Sequence, residues 1–456
     1  MTSQEAGETT QKLGWKFPRT FWMANVIELF ERAAFYGMFI TLTLYLTREI
    51  KFTDVEAGLV AAGFSSIIYL LPTFMGAMAD RIGFRQALAI AFSLLTLGYA
   101  LLGAFQLKTT AVVALGLIMF GGAIVKPVIS GTVAKCSDEL HRVRAFSIFY
   151  MVVNIGAFCG KTAASPLREE FGLKYINFYA ACMALCALVW VFVFYRNTEG
   201  KSEAKSAEEA MRGYAKVLMN FRFMALILIV AGFWVIQGQL YATMPKYILR
   251  MLGEGAKPEW LANINPLVVV LLVVPITHVI RKYKPENAMA IGLFIIPCSA
   301  LCLGLSPQLE AWFGSSVLWL HPITLTVIVG IGVQGLAECF LSPKFLEYAS
   351  MQAPKGEEGL YLGYQHLTTF FAWAFGFGIS GFLLTAYCPD PTTLAPEVQQ
   401  QRLDAIANGT PLPEAYAHAH YIWYVFTGIG VAAFFALLLF KFVTNAIDRS
   451  RAAAQA

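Results

Sequence analysis

The chain is 456 residues long, 57% hydrophobic and only 14% charged, with a net charge of +5 and a mean hydropathy of +0.60. That composition excludes a soluble globular chain and describes an all-α polytopic membrane protein. The small basic excess is topological and does not indicate nucleic-acid binding, because the basic residues sit in short segments between apolar runs.

The first twenty residues are polar, no cleavable signal peptide is visible, and about twelve apolar runs follow, each near the roughly 20 residues that a bilayer demands. Expected spans are 20–46, 55–80, 86–106, 111–135, 143–167, 175–195, 221–249, 260–281, 287–306, 318–347, 358–386 and 419–443. With the N-terminus inside, about 22 Lys and Arg fall in cytoplasmic segments and about 8 outside, so both termini are expected to be cytoplasmic. Arg32, Lys126, Lys161 and Lys246 remain within spans. The polar stretch 196–220 (Lys201, Glu203, Lys205, Glu208, Glu209, Arg212) is expected to be a cytoplasmic surface helix joining six-helix halves at 1–195 and 221–456. The other long loop, 389–418, is expected outside; it is Pro-rich and nearly without basic residues. Lys126-Pro127 in the fourth span and Ser342-Pro343 in the tenth form a weak internal repeat, each proline reading as either a kink or a helix terminator. The eight cysteines form no CxxC pair; Cys182/Cys186 and Cys298/Cys302 share helix faces, where packing is the expected role and neither metal nor disulfide is expected.

Glu28-Leu29-Phe30-Glu31-Arg32 places two carboxylates and a guanidinium inside the first span. Each charge there costs at least about 2.5 kcal/mol, so the cluster must face a wet or self-neutralising interior. Glu28 and Arg32 stand at i, i+4, and Glu31 lies about 100° round the helix from Arg32, so the three can share charge and protons. Carboxylates so placed can exchange between paired and protonated states, which makes Glu28, Glu31 and Arg32 the candidates for any proton coupling. A structural ion pair locking the helix into its bundle is the alternative reading.

Gly76-Ala77-Met78-Ala79-Asp80-Arg81-Ile82-Gly83-Phe84-Arg85 is similar to the cytoplasmic loop motif of the major facilitator superfamily, and implies a conformational latch of Asp80, Arg81 and Arg85. The run from Glu28 to Gly37 resembles the ExxER(F)xYYG signature of the proton-dependent oligopeptide transporter (POT/PTR) family. Further matches follow in order: Tyr69 with Leu70-Leu71-Pro72, Lys126-Pro127, Phe149-Tyr150 through Asn154-Ile155-Gly156, Asn265-Pro266-Leu267, Glu338 with Ser342-Pro343, and Leu367-Thr368-Thr369. The resemblance implies a twelve-helix fold in two halves with the substrate near the midplane between them. It associates Arg32 and Lys126 with a peptide carboxylate, and Asn154, Asn265 and Glu338 with its amino end. Physics asks for the same arrangement, since a zwitterion entering a low-dielectric cavity needs cations on one wall and a carboxylate on the other. Lys126 could instead neutralise Glu28 or Glu31, and either asparagine could be an interhelical hydrogen bond. Tyr36 and Tyr69 read equally as cavity walls or as packing.

Four departures stand out. Phe39 occupies the position of the family's second arginine, and Val235-Ile236-Gln237-Gly238-Gln239 lacks the seventh-span glutamate that pairs with it, so the usual outer-gate ion pair is missing. Gln365 and His366 replace the tryptophan before Leu-Thr-Thr, and the extra helix pair between halves is absent. Lys161, seven residues after Asn154 on about the same face, is an added cation: a substrate contact, a snorkelling residue or a partner for a backbone carbonyl. With both gate charges gone, outer closure is expected to rest mainly on apolar packing around Phe39 and to respond little to salt. The resemblance thus implies a proton-coupled symporter of small zwitterions such as di- and tripeptides. The competing readings are a carrier of another organic anion or amphiphile and a non-transporting receptor. No nucleotide-binding loop, haem ligand pair or HExxH motif is visible, so neither an enzyme nor an ATP-driven pump is expected. No cofactor or nucleic acid is expected as partner; the expectation is a monomer in a bacterial inner membrane.

Overall fold

The computed structural model describes residues 17–137, 141–196, 218–314, 316–351 and 366–455, and is helical almost throughout. The first half of the chain supplies α1 (Arg19–Arg48), α2 (Asp54–Leu70), α3 (Pro72–Ile82), α4 (Phe84–Ala104), α5 (Lys108–Lys135), α6 (Arg142–Pro166) and α7 (Leu173–Phe194). The second half supplies α8 (Phe221–Ala242), α9 (Met244–Leu252), α10 (Pro258–Leu261), α11 (Ile264–Ile280), α12 (Pro285–Gly304), α13 (Ser306–Phe313), α14 (Pro322–Met351), α15 (Leu367–Tyr387), α16 (Pro396–Asn408) and α17 (Tyr421–Gln455). Among the described residues, ten helices are long and apolar enough to cross a membrane, and α2 with the segment after its break, bent by 53°, makes an eleventh if the two are one span. The three charges of the Glu28–Arg32 cluster sit within α1, itself 30 residues long. Of the expected linker helix over 196–220, residues 197–217 lie outside the described residues, as does Gln365.

Local chemistry explains where the helices start and break. Thr53 and Glu56 form a reciprocal capping box that starts α2, and Asn220 caps α8 through the backbone N–H of Phe223. Pro72 and Pro245 stand in the first turns of α3 and α9, where a missing N–H costs nothing, so two of the expected spans are interrupted there. Pro127 and Pro343 behave otherwise. Both lie inside their helices, which continue to Lys135 and Met351, so the terminator reading is corrected for both.

Apolar side chains such as Leu271, Val274 and Phe442 point outward and are more than half exposed, as a hydrocarbon solvent permits. Within the first half α1 packs on α6 and α7, and within the second α12 packs on α14 and α17; α2 against α15 is the largest seam between halves. Gly160 lets α6 approach α1, since a Cβ there would collide with the carbonyl of Ala33. That contact brings α6 within reach of the acidic cluster.

Candidate functional site between the two halves

The wall contributed by the first half is the Glu28–Arg32 cluster. Arg32 Nε lies 3.2 Å from Glu28 Oε1 and the guanidinium also binds Glu31, all three side chains being almost fully buried. Glu28 Oε2 and Glu31 Oε1 have no hydrogen-bond partner among the described residues, so one Arg32 does not satisfy both carboxylates. The Arg32 guanidinium also lies 5.8 Å from the centre of the Tyr36 ring. Lys126 sits 4.1 Å over the ring of Tyr69; its charge acts on Glu28 and Glu31 through space, without a direct ion pair to either.

On the second-half wall, α14 carries Glu338. Its Oε2 accepts from Gln237 Nε2 at 2.9 Å and, at the limit of hydrogen bonding, from Asn265 Nδ2 at 3.5 Å. Asn265 therefore stands where the sequence placed it, whereas Asn154 turns its amide back onto the Tyr150 carbonyl of its own helix at 2.8 Å. Gln237, noted in sequence only for lacking a charge, is the closer amide. Lys161 is 1% exposed and crosses between halves: its Nζ donates to the carbonyl of Ala262 at 3.1 Å and lies 6.0 Å from the centre of the Tyr36 ring. The backbone-carbonyl bond expected as one reading of Lys161 is present. Tyr36 is thus flanked by Arg32 and Lys161.

Beyond Tyr36 the halves meet in a layer of rings. Phe39 is fully buried against Trp373, Tyr241, Phe377 and Phe64, with ring centres 4.9–6.3 Å apart. Trp373 also packs over Gly238, where a Cβ would lie 3.4 Å from the indole, at ordinary contact distance. The absent arginine and glutamate are replaced by aromatic volume.

The expectation that this end closes mainly by apolar packing is nonetheless corrected, because ion pairs lie past the rings. Asp54 of α2 accepts from Lys246 at 2.8 Å and from both terminal nitrogens of Arg250 at 2.8 and 2.9 Å. Arg168, just past α6, reaches Glu259 at 2.6 Å and the carbonyl of Ala256 at 2.8 Å, and Arg48 binds Glu254 at 2.6 and 2.7 Å. Hydrogen bonds from Thr43 to the Ala242 carbonyl, from Trp260 to that of Thr162 and from Asn263 to the Thr162 hydroxyl complete the closure. Arg402, the lone basic residue of the long loop, donates to the carbonyls of Leu249 and Arg250 and pins α16 to α9. Asp390 accepts from Arg250 at 2.9 Å; burial alone would raise its carboxyl, but Arg250 and two bonds from Thr392 outweigh that and hold it below the ordinary carboxylate value. The sequence signal for this network was Lys246 inside a span with Asp54 at the start of another.

At the other end, Arg85 Nη2 donates to the Phe192 carbonyl at 2.7 Å, tying the start of α4 to the end of α7; Asp80 is half-buried and Arg81 exposed. These three residues lie where a latch between helices of the first half is geometrically possible.

Relatives and structural neighbours are found over most of the chain. The chain is 23% identical over 433 residues to dipeptide and tripeptide permease A of Cronobacter turicensis, covering 80% of this chain and 85% of that one. To the dipeptide and tripeptide permease A of Escherichia coli K12 it is 22% identical over 457 residues, covering 86% and 89%. A crystal structure of a POT family transporter in complex with 5-aminolevulinic acid superposes with a TM-score of 0.71 at 20% identity, over 94% of this chain and 97% of that one, and so shares its fold. The model of the Major Facilitator Superfamily matches residues 25–317. With its apolar helices and its charged seam between two halves, the chain is a membrane protein that belongs to the Major Facilitator Superfamily.

Proposed function

We propose that this protein is a proton-coupled symporter of small zwitterionic solutes, di- and tripeptides above all, working by alternating access in a bacterial inner membrane with both termini cytoplasmic. The observation that carries the reading is the two-walled charge arrangement: Arg32 and Lys126 beside the Glu28/Glu31 pair on one half, and Glu338 presented by Gln237 and Asn265 on the other. A dipeptide has one charge for each wall, and a low-dielectric site favours a ligand that matches both. The names of the bacterial permeases above support the same substrate class. Halves 1–195 and 221–456 rock about this level; the closed end, which the distribution of basic residues assigns to the outside, is sealed here by rings and ion pairs.

The test is uptake of dialanine into proteoliposomes driven by an inward proton gradient, together with binding of terminally blocked analogues. Lys126→Ala should weaken ligands with a free carboxylate and Glu338→Ala those with a free amine. A wild-type protein indifferent to both blocks would sink the peptide reading.

A further inference from the structure

At the closed end, two cations of the second half converge on a single carboxylate of the first. Lys246 Nζ lies 2.8 Å from Asp54 Oδ1, and Arg250 grips the same carboxylate with both terminal nitrogens, at 2.8 Å to Oδ2 and 2.9 Å to Oδ1. All three side chains are at most 3% exposed. The remaining bonds of Arg250 go to the Cys388 carbonyl at 2.6 Å and to Asp390 at 2.9 Å, both on the second half. Arg402, also of that half, adds a further buried guanidinium behind Arg250. Within the cluster, Asp54 is therefore the one group that leaves when the halves part. Lys246 and Arg250 then keep only Asp390 between them, one positive charge in excess and a fork already aimed at a carboxylate.

We propose that Lys246 and Arg250 form a carboxylate-binding site at the outer mouth, which Asp54 occupies as a tethered ligand while that end is closed and which an incoming solute carboxylate takes over as it opens. The bidentate Arg250 grip is the geometry by which a guanidinium recognises a free carboxylate, and a carboxamide cannot reproduce it. Occupancy is tied to opening by the backbone: a Cβ at Gly381 of α15 would collide with the carbonyl of Asp54, so the start of α2 lies hard against α15 and Asp54 withdraws only if those helices separate. The solute exchanges one carboxylate for another at the mouth before it reaches Arg32 and Lys126. This inference rests on the alternating-access reading above.

The experiment uses the full chain in lipid nanodiscs, with acetate as probe and acetamide as its uncharged twin at constant ionic strength, read by thermal midpoint. Asp54→Asn removes the tethered ligand and keeps its shape. Acetate should then raise the midpoint at concentrations at least tenfold lower than in the native chain, acetamide should not, and Asp54→Asn/Arg250→Gln and Asp54→Asn/Lys246→Gln should lose the response. Equal responses to acetate and acetamide, or a response that survives Arg250→Gln, would overturn the proposal and leave the cluster as a structural rivet. Should Asp54→Asn not fold, spin labels at Leu107→Cys and Leu403→Cys, with the exposed native cysteines replaced by serine, read the same competition with Asp54 present. Acetate should lengthen that distance distribution and acetamide should not; no acetate-specific lengthening also counts against the site. None of these readouts needs transport, so intact dialanine uptake with no acetate response refutes this site alone, and the converse refutes the peptide reading alone.

Discussion

The indole of Trp373 lies flat on the ring of Phe39, centres 5.3 Å apart and planes within 18°, joining the second half of the chain to the first. Phe39→Ala should cost about 3–5 kcal/mol, through lost burial and the cavity left behind. Phe39→Arg should also destabilise, because its immediate neighbours Trp373, Tyr241, Phe64 and Phe377 offer no carboxylate. Adding Gly238→Glu supplies the missing acid, and a Cβ there meets Trp373 and Phe377 at ordinary contact distance, so the double variant should recover part of the stability that Phe39→Arg loses. Thermal unfolding of the single and double variants in detergent checks all three outcomes.

The ion pairs of the closed end should separate by burial. Arg48 and Glu254 are 28% and 62% exposed, so Arg48→Ala should cost only about 0.2–1 kcal/mol and vanish into noise at high salt. Arg168 and Glu259 are 5% and 0% exposed, and Glu259→Gln should cost more, up to about 3–5 kcal/mol with little salt dependence, because the guanidinium loses its one fully buried counterion and keeps only the more exposed Glu169 and Glu254. Denaturation midpoints at low and high salt distinguish the two classes.

Coupling should map to the carboxylates with a spare oxygen. Under the proposed coupling, Glu28→Gln and Glu31→Gln should each abolish uphill, pH-driven accumulation while sparing some counterflow exchange, since each removes a titratable carboxylate beside Arg32. Undiminished accumulation in both variants removes them from that role.

Asp390 supplies a pH signature outside the membrane spans. Its folded carboxyl titrates below the unfolded value of about 3.9, so its contribution is fully present above that pH and is lost as pH falls through the depressed folded value. Acid should therefore destabilise the native chain more steeply than Asp390→Asn in that window, with no difference in slope near neutrality. Midpoints measured from pH 7 downward test this.

Gly160→Ala should lower stability by about 1–3 kcal/mol, because the new methyl meets the backbone carbonyl of Ala33, which cannot swing aside as a side chain can. An unchanged midpoint would show that α6 shifts freely along α1.

The sequence disclosed most of the helices and the residues of both central walls, because a charge inside a 20-residue apolar run is conspicuous whatever its neighbours. It placed Glu338 and Asn265 together through the family resemblance, and they are together. Gln237 was passed over because a neutral amide in an apolar run announces nothing until its partner is located. The closed-end network escaped for a different reason: Asp54 and Arg250 are 196 positions apart, and each lies near the end of an apolar run, where a charge reads as an ordinary boundary marker. Trp373 was likewise one aromatic residue among many. Which ring fills the place of a missing ion pair depends on how α8 and α15 approach, and no local pattern in the chain encodes that approach.

The cross-half pairs bear on how the chain is made. Asp54 is synthesised well before Lys246 and Arg250, and Arg168 well before Glu259, so the first half enters the bilayer with Asp54 lacking both of its cations and Arg168 holding only its neighbour Glu169. The nascent first half is therefore expected to be an incomplete folding unit and a target for quality control until its successor arrives. Split within residues 197–217, each fragment should be degraded when expressed alone and should accumulate when the two are co-expressed, with Asp54→Asn lengthening the survival of the lone first fragment.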